Sequence, residues 1–198
     1  MDSNCIFCTK LQQGDTLLYS GENFYIVGEK FPVVEGTILI IPKEHYSCYG
    51  AIPSKIDDEF NKLKIQVKKF LEKEYKKPVI FLEHGIEGQT IKHAHLHCVP
   101  LDKSLISTIS QKLNKYILIN NLSQLRKEFD SLGKYFYYEE NEKKYVFEVD
   151  SLIPGYLRFL LGDIVGQPER SNWKEANPNL FTKDVKNLLE KWNSDFDR

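Results

Sequence analysis

Hydrophobic and polar positions change period several times along the chain, and each change marks an element. Leu17-Leu18-Tyr19 and Phe24-Tyr25-Ile26-Val27 are short β-prone runs on either side of Gly21-Glu22-Asn23, which predicts a hairpin. Gly36-Thr37-Ile38-Leu39-Ile40-Ile41 is a continuous apolar run of buried-strand type, closed by Pro42-Lys43-Glu44-His45. After Pro53-Ser54, apolar residues recur at Ile56, Phe60, Leu63, Val67, Phe70, Leu71 and Tyr75. That is helical spacing and predicts a long helix packed across a sheet. Val79-Ile80-Phe81-Leu82 returns as a strand into Glu83-His84-Gly85, and Gly88-Gln89-Thr90 is a glycine-bearing loop.

The next run, His93-Ala94-His95-Leu96-His97-Cys98-Val99-Pro100, alternates with period two. On a strand the three imidazoles share one face, while Ala94, Leu96 and Cys98 point the other way into a core. Beyond Pro100 the pattern predicts helices over 106–116, 124–132, 154–165 and 182–192. A hairpin is expected between Tyr135-Phe136-Tyr137-Tyr138 and Tyr145-Val146-Phe147-Glu148-Val149. No repeat, low-complexity tract or flexible linker interrupts the chain, and the organisation expected is a unit of residues 1–103 followed by an extension of residues 104–198.

Composition narrows the function. The chain has 198 residues, is 41% hydrophobic and 28% charged, and its net charge of -1 provides no bulk attraction for nucleic acid or anionic membrane. No apolar window approaches membrane-spanning length, and the first residues lack the pattern of a secretory signal, so a cytoplasmic, reduced setting is expected. Of the four cysteines, Cys5 and Cys8 form a Cys-x-x-Cys turn, while Cys48 and Cys98 suit small core positions. The pair is half of a structural zinc site, needing two more nitrogen or sulfur ligands, or a vacant thiol pair, or a redox pair, although it lies outside the strand-to-helix setting that redox pairs occupy.

Three of the protein's five histidines stand at positions 93, 95 and 97. A neutral imidazole is a competent nucleophile and base near neutrality, and attack on phosphorus also needs donors for the non-bridging oxygens and a proton for the leaving atom. His95 is central and is the expected attacker, with His97 beside it as donor. Gly88-Gln89-Thr90 offers backbone N–H groups, an amide and a hydroxyl to anionic oxygens. A single catalytic metal held by all three histidines is the competing reading. It is strained, because the first and third Cα atoms of such a strand stand about 13 Å apart.

The run His93-Ala-His95-Leu-His97-Cys-Val resembles the signature of the histidine triad family, His-φ-His-φ-His-φ-φ with φ apolar. The likeness extends to Gly88-Gln89-Thr90, to Ile40-Ile41-Pro42-Lys43-Glu44-His45 and to the opening Cys-Ile-Phe-Cys, and so covers residues 1–100. It implies an α+β fold with an antiparallel sheet of about five strands and a long packing helix, here followed by a helical and hairpin extension. It implies a hydrolase or nucleotidyl transferase acting at a nucleotide α-phosphate through a nucleotidyl group on His95. His97, Gln89 and Thr90 would contact the phosphate and Glu29 the ribose. By the same likeness zinc is structural and is held by Cys5, Cys8, His45 and His93, which leaves His95 free. The expected partner is a small nucleotide, a dinucleoside polyphosphate or nucleoside phosphoramidate, with no nucleic acid and no membrane. Short relatives pair through the sheet edge and long helix, so a homodimer is expected unless the extension covers that edge.

Three positions depart from the family pattern: Thr37 where many relatives carry histidine, Glu29 for an aspartate, and Glu83 for an asparagine. A carboxylate at position 83 would repel phosphate unless turned away or protonated. These departures support an alternative, a nucleotide-binding or adaptor protein without turnover. His84 is read as a pocket or solvated loop residue, and Arg158 as a helix-surface charge, with reach to a distal phosphate as the alternative.

Overall fold

The computed structural model describes residues 3–11 and 14–196; the ends of the two units expected from the sequence, residues 1–2 and 197–198, lie outside the described residues. The elements are α1 (Ile6–Thr9), β1 (Leu17–Ser20), β2 (Phe24–Gly28), β3 (Ile38–Pro42), α2 (Asp57–Tyr75), β4 (Val79–Gly85) and β5 (Leu96–Pro100). They continue with α3 (Ile106–Lys112), β6 (Tyr116–Ile119), α4 (Leu122–Leu132), β7 (Tyr135–Glu140), β8 (Lys143–Phe147), α5 (Tyr156–Val165) and α6 (Asn179–Phe196).

The expected α+β class with an antiparallel sheet is found, but the sheet has eight strands rather than about five, in the order β1-β2-β3-β5-β4-β7-β8-β6. The first five come from residues before 103. The other three are added by β7, which pairs antiparallel with β4 from Phe81↔Glu139 to Gly85↔Tyr135. The second half of the chain therefore occupies the sheet edge that would otherwise end at β4. Gly85 permits this close approach: a Cβ there would stand 2.6 Å from the Tyr135 ring.

One segment differs from its predicted type. The helix expected over 106–116 ends at Lys112, and Tyr116-Ile-Leu-Ile119 forms strand β6 against β8. Four consecutive aromatic and aliphatic residues satisfy helical spacing as well as strand spacing over so short a run. Pairing with β8 decides between them.

The strand period sorts side chains onto two faces. On one, α2 buries Phe60, Leu63, Val67, Phe70 and Leu71 against Phe24, Ile26, Ile38, Ile40, Leu96 and Cys98. Each such side chain contributes about 1.5–3 kcal/mol on full burial. Three acidic residues, Asp57, Asp58 and Glu59, occupy the first turn of α2 and complement its positive end. From α6, Trp192 packs edge-on to Phe70 at 4.8 Å and donates its indole N–H to the Leu18 carbonyl at 3.0 Å.

The opposite face is divided. Near β4, β7 and β8, α3 and α5 cover Ile80, Leu82, Phe136, Tyr138 and Phe147. Near β2 and β3, Cys5 and Phe7 of the N-terminal segment pack on Tyr25, Val27, Leu39 and Ile41. The histidines lie on this second face, between the two clusters.

Candidate active site and metal centre

Pairing on both sides fixes the histidine segment. His97 stands opposite Leu39 on β3 and Leu82 on β4. Regular strand begins only at Leu96; His93–His95 approach it through a bend, anchored by the Ala94 N–H donating to the Tyr46 carbonyl at 2.7 Å. Ala94, Leu96 and Cys98 point into the core beneath α2, as the alternation predicts. His95 and His97 point the other way and are 6% and 7% exposed, with ring centroids 5.0 Å apart.

The bend turns His93 out of this set and toward the N-terminus. Cys5, Cys8, His45 and His93 each place a ligand atom within 4.8 Å of all the others. Cys5 Sγ is 3.4 Å and Cys8 Sγ 3.5 Å from His93 Nδ1, and Cys8 Sγ is 3.3 Å from His45 Nδ1. Sulfur and nitrogen ligands at roughly 2.3 and 2.0 Å from one tetrahedral ion stand about 3.5 Å apart, so these spacings suit such an ion. The donor set is also prepared for it. His93 Nε2 lies 2.8 Å from the Pro42 carbonyl, which can only accept, so Nε2 carries the proton and Nδ1 offers a lone pair to the metal. Cys5 and Cys8 are not joined in a disulfide.

The same reasoning fixes His95. Its Nδ1 is 2.6 Å from the His93 carbonyl and must donate to it, leaving Nε2 as a lone-pair nitrogen. Burial lowers the His95 pKa to about 3, with the neighbouring His97 adding to the effect, so the ring is neutral at physiological pH. Phe7 sets its ring edge-on to His95 at 5.5 Å and to His93 at 5.8 Å.

His97 Nδ1 faces Glu29 Oε2 at 3.8 Å, and the other oxygen of Glu29 accepts from Arg158 Nη1 at 2.8 Å. Burial pushes the Glu29 carboxyl up, but His97, Arg158 and His95 outweigh it and hold the group below the usual carboxylate range. Arg158 is therefore no surface charge: it is largely buried and tied into the site, which corrects the reading from helical spacing.

The glycine loop contributes differently from its composition. Gln89 donates its side-chain amide to the carbonyls of Ser47 at 2.8 Å and His84 at 2.9 Å. That amide is thus committed to holding the loop and is not available to a phosphate as the sequence suggests. The backbone N–H groups of Gln89 and Thr90 have no partner among the described residues, and the Thr90 side chain is exposed. The second half of the chain closes over this loop, with the Gly155 N–H donating to the Gly88 carbonyl at 2.8 Å.

His84 is a buried member of the same face. Its Nε2 accepts from the Leu157 N–H at 3.2 Å, at the start of α5. Burial first, then the proximity of His97 and His95, holds its pKa well below the ordinary 6.5. A histidine with a lowered folded pKa binds fewer protons folded than unfolded, so stability is level above about pH 6.5 and declines as pH falls below it. The expected slope is at most about 1.4 kcal/mol per pH unit for each such histidine. His84→Gln, which keeps an acceptor for Leu157 without a titrating ring, flattens the decline; denaturant unfolding at pH 7 and pH 5 in both proteins measures it.

Two departures from the family pattern also find their places. Thr37 is buried and donates its hydroxyl to the Val34 carbonyl at 2.7 Å. Glu83 projects to the opposite face of the sheet, where it accepts from the Tyr49 N–H at 2.6 Å and the Tyr135 hydroxyl at 2.5 Å. Burial raises its pKa to about 7 against the pull of those two donors. It is turned away, so it does not oppose an anion at the histidines.

An antiparallel sheet backed by a long helix, with two buried histidines between a glycine loop and a Cys₂His₂ cluster, defines a histidine triad protein. The chain belongs to the family described as "Protein similar to CwfJ C-terminal", which matches residues 1–114. It is 33% identical over 103 residues to an uncharacterized HIT-like protein of Mycoplasma genitalium, covering 50% of this chain and 73% of that protein. It is 27% identical over 197 residues to the zinc finger CCCH domain-containing protein 59 of rice, covering 89% of this chain and 32% of the relative. The chain thus spans about a third of the length of that plant protein, and the likeness to it runs through the second half. Among solved structures, the HIT family hydrolase from Clostridium thermocellum is 26% identical, covers 52% of this chain and 96% of that one, and superposes with a TM-score of 0.46. Among the described residues no helix is long and apolar enough to cross a membrane.

Proposed function

We propose that this chain is a nucleotide hydrolase or nucleotidyl transferase that works at an α-phosphate through a nucleotidyl group carried on His95. The observation that carries the reading is the hydrogen bond from His95 Nδ1 to the His93 carbonyl, 2.6 Å long, which makes Nε2 the nucleophilic atom. With burial keeping the ring neutral, that nitrogen has its lone pair ready without prior loss of a proton. Nε2 bonds to phosphorus as the leaving atom departs with a proton, and His97 is the neighbouring acid. Water or an acceptor hydroxyl then attacks the phosphorus and releases His95.

Thr90 and the backbone N–H groups of Gln89 and Thr90 are the donors proposed for the non-bridging oxygens, with His97 beside them. Glu29 borders the same space and is the carboxylate on the nucleotide side. Cys5, Cys8, His45 and His93 would hold a zinc ion with four protein ligands, and such an ion would serve structurally, tying α1 to the sheet and supporting the His93 carbonyl behind the nucleophile. The substrate class is a dinucleoside polyphosphate or nucleoside phosphoramidate.

A second reading is nucleotide binding without turnover, and one observation favours it: the hydroxyl of Thr37 serves Val34, so position 37 contributes no support to His95. Incubation with adenosine phosphoramidate and with diadenosine polyphosphates separates the two. Release of mononucleotide supports the enzyme, and saturable binding without release supports the binding protein.

A further inference from the structure

On the face of the sheet opposite His95 and His97, a cavity of about 390 Å³ opens where the two halves of the chain meet. Pockets for small molecules run from about 300 to 1,000 Å³, so the space is large enough for one. The first half supplies α2 with Glu83 and Leu96 of the sheet; the second supplies Ile119, the start of α4, Tyr137 and Lys144. Much of the wall is apolar, formed by Phe60, Leu96, Ile119, Leu122 and Leu125. At one end it meets a set of buried polar groups for which the chemistry at the histidines has no use.

The charges bordering this cavity do not cancel. Asp57 is answered by Arg126, whose two terminal nitrogens donate to its two oxygens. Glu83 has both oxygens engaged by Tyr49 and Tyr135, and burial moves its carboxyl toward the neutral form, with a pKa of about 7. Lys64 donates to Glu139, which also accepts from the Tyr137 hydroxyl, and its ammonium lies over the Phe81 ring at 4.3 Å. Strand register sets Lys144 opposite that same Glu139, so two lysines share the neighbourhood of one carboxylate. Among the described residues the Lys144 ammonium bonds the Glu142 carbonyl at 3.4 Å and enters no ion pair. Burial lowers the Lys64 pKa; Glu139 opposes that shift and Lys144 adds to it. A negative group arriving beside the two lysines offsets this cost.

We propose that this cavity is a second ligand site, built for a small amphipathic anion: an apolar, ring-sized body that carries one acidic group. The body lies against Phe60, Leu96, Ile119, Leu122 and Leu125, and the acidic group meets Lys64 and Lys144. Two amides at the mouth add uncharged donors. One is that of Asn61; the other is that of Asn121, whose oxygen caps α4 by accepting from the Gln124 N–H at 3.1 Å. The site uses neither the histidines nor the Cys₂His₂ cluster, so it stands apart from the proposed function. It depends on both halves of the chain, because the first half alone lacks Ile119, α4 and Lys144.

Fluorescence titration of the full chain with 8-anilinonaphthalene-1-sulfonate tests the site, because this probe joins an aromatic body to one anionic group and brightens in apolar surroundings. The expected result is one saturable site that adenosine monophosphate does not displace. N-phenyl-1-naphthylamine, the same body without the sulfonate, binds about tenfold or more weakly. Leu122→Trp, which fills the cavity, and Lys144→Glu, which reverses the unpaired charge, each weaken the sulfonate by about tenfold or more. Lys144 lies on a surface strand, so its variant keeps the test decisive if Leu122→Trp disturbs folding. In nitrogen-15 correlation spectra the sulfonate moves the amide signals of residues 119–125. Displacement by adenosine monophosphate, or shifts confined to residues 88–97, places the probe at the histidines and overturns the proposal. Equal affinity for the neutral probe, or an unchanged affinity in Lys144→Glu, overturns the anionic class. Absence of saturable binding overturns the site itself.

Discussion

Replacing His95 with alanine lowers turnover by at least about a thousandfold while the protein still folds and still binds nucleotide. The size follows from the proposed role: without the imidazole no covalent intermediate forms, and loss of a nucleophile is among the most severe single changes an active site suffers. Folding survives because the ring's polar bond inside the protein is the one to the His93 carbonyl, and its ring contacts are with Phe7 and His97. The change leaves the Cys5, Cys8, His45 and His93 cluster intact. Single-turnover assays with an adenosine phosphoramidate, run beside a nucleotide-binding measurement, check both halves of the expectation. A variant as active as the wild type removes the nucleophile assignment. A wild type that binds and never turns over leaves the binding-protein reading.

Stripping the metal from the Cys₂His₂ cluster is expected to cost roughly 3 kcal/mol or more of unfolding free energy and most of the activity. Helix α1 is only four residues long, too short to persist by itself, and its ties to the sheet are the ligands and the packing of Phe7. Phe7 in turn lies against His93 and His95, and the carbonyl of His93 sets the tautomer of His95. Loss of the ion therefore loosens the support of the nucleophile as well as the N-terminus. Metal analysis, followed by denaturant unfolding with and without a chelator, tests this. Stoichiometric zinc that disappears in Cys5→Ser also removes thiol redox cycling, because the same two sulfurs cannot do both. Chelator-insensitive stability in a protein that carries zinc contradicts the structural role.

Much of this architecture is written in local periodicities. The period-two run at 93–99 correctly separates Ala94, Leu96 and Cys98 from the histidines, and the spacing from Phe60 to Leu71 correctly forecasts the buried face of α2. What local pattern does not carry is pairing between distant segments. Tyr116-Ile-Leu-Ile119 satisfies helical spacing and becomes a strand only because β8 lies beside it. The tyrosine-rich hairpin predicts two strands but not their attachment to β4, which turns a sheet of about five strands into one of eight.

Side-chain partners show the same limit. Arg158 follows helical spacing and a surface charge is the natural expectation; only the fold brings Glu29, 129 positions away in sequence, within 2.8 Å of it. Glu83 looks hostile to phosphate in sequence, and strand parity sends it to the opposite face among Tyr49 and Tyr135. Gln89 has the chemistry of a phosphate donor, but its amide is spent on the carbonyls of His84 and of Ser47, the latter 42 positions away in sequence. In each case the residue type was legible and the geometry was not, because partners far apart in sequence set it.

The most direct measurement is mass spectrometry of acid-sensitive adducts after rapid quenching of the enzyme with a nucleotidyl substrate. The account predicts a transient mass increase of one nucleotidyl group, localised by peptide mapping to His95 and absent from His95→Ala. Turnover with no adduct at any time point, or an adduct on another residue, contradicts it.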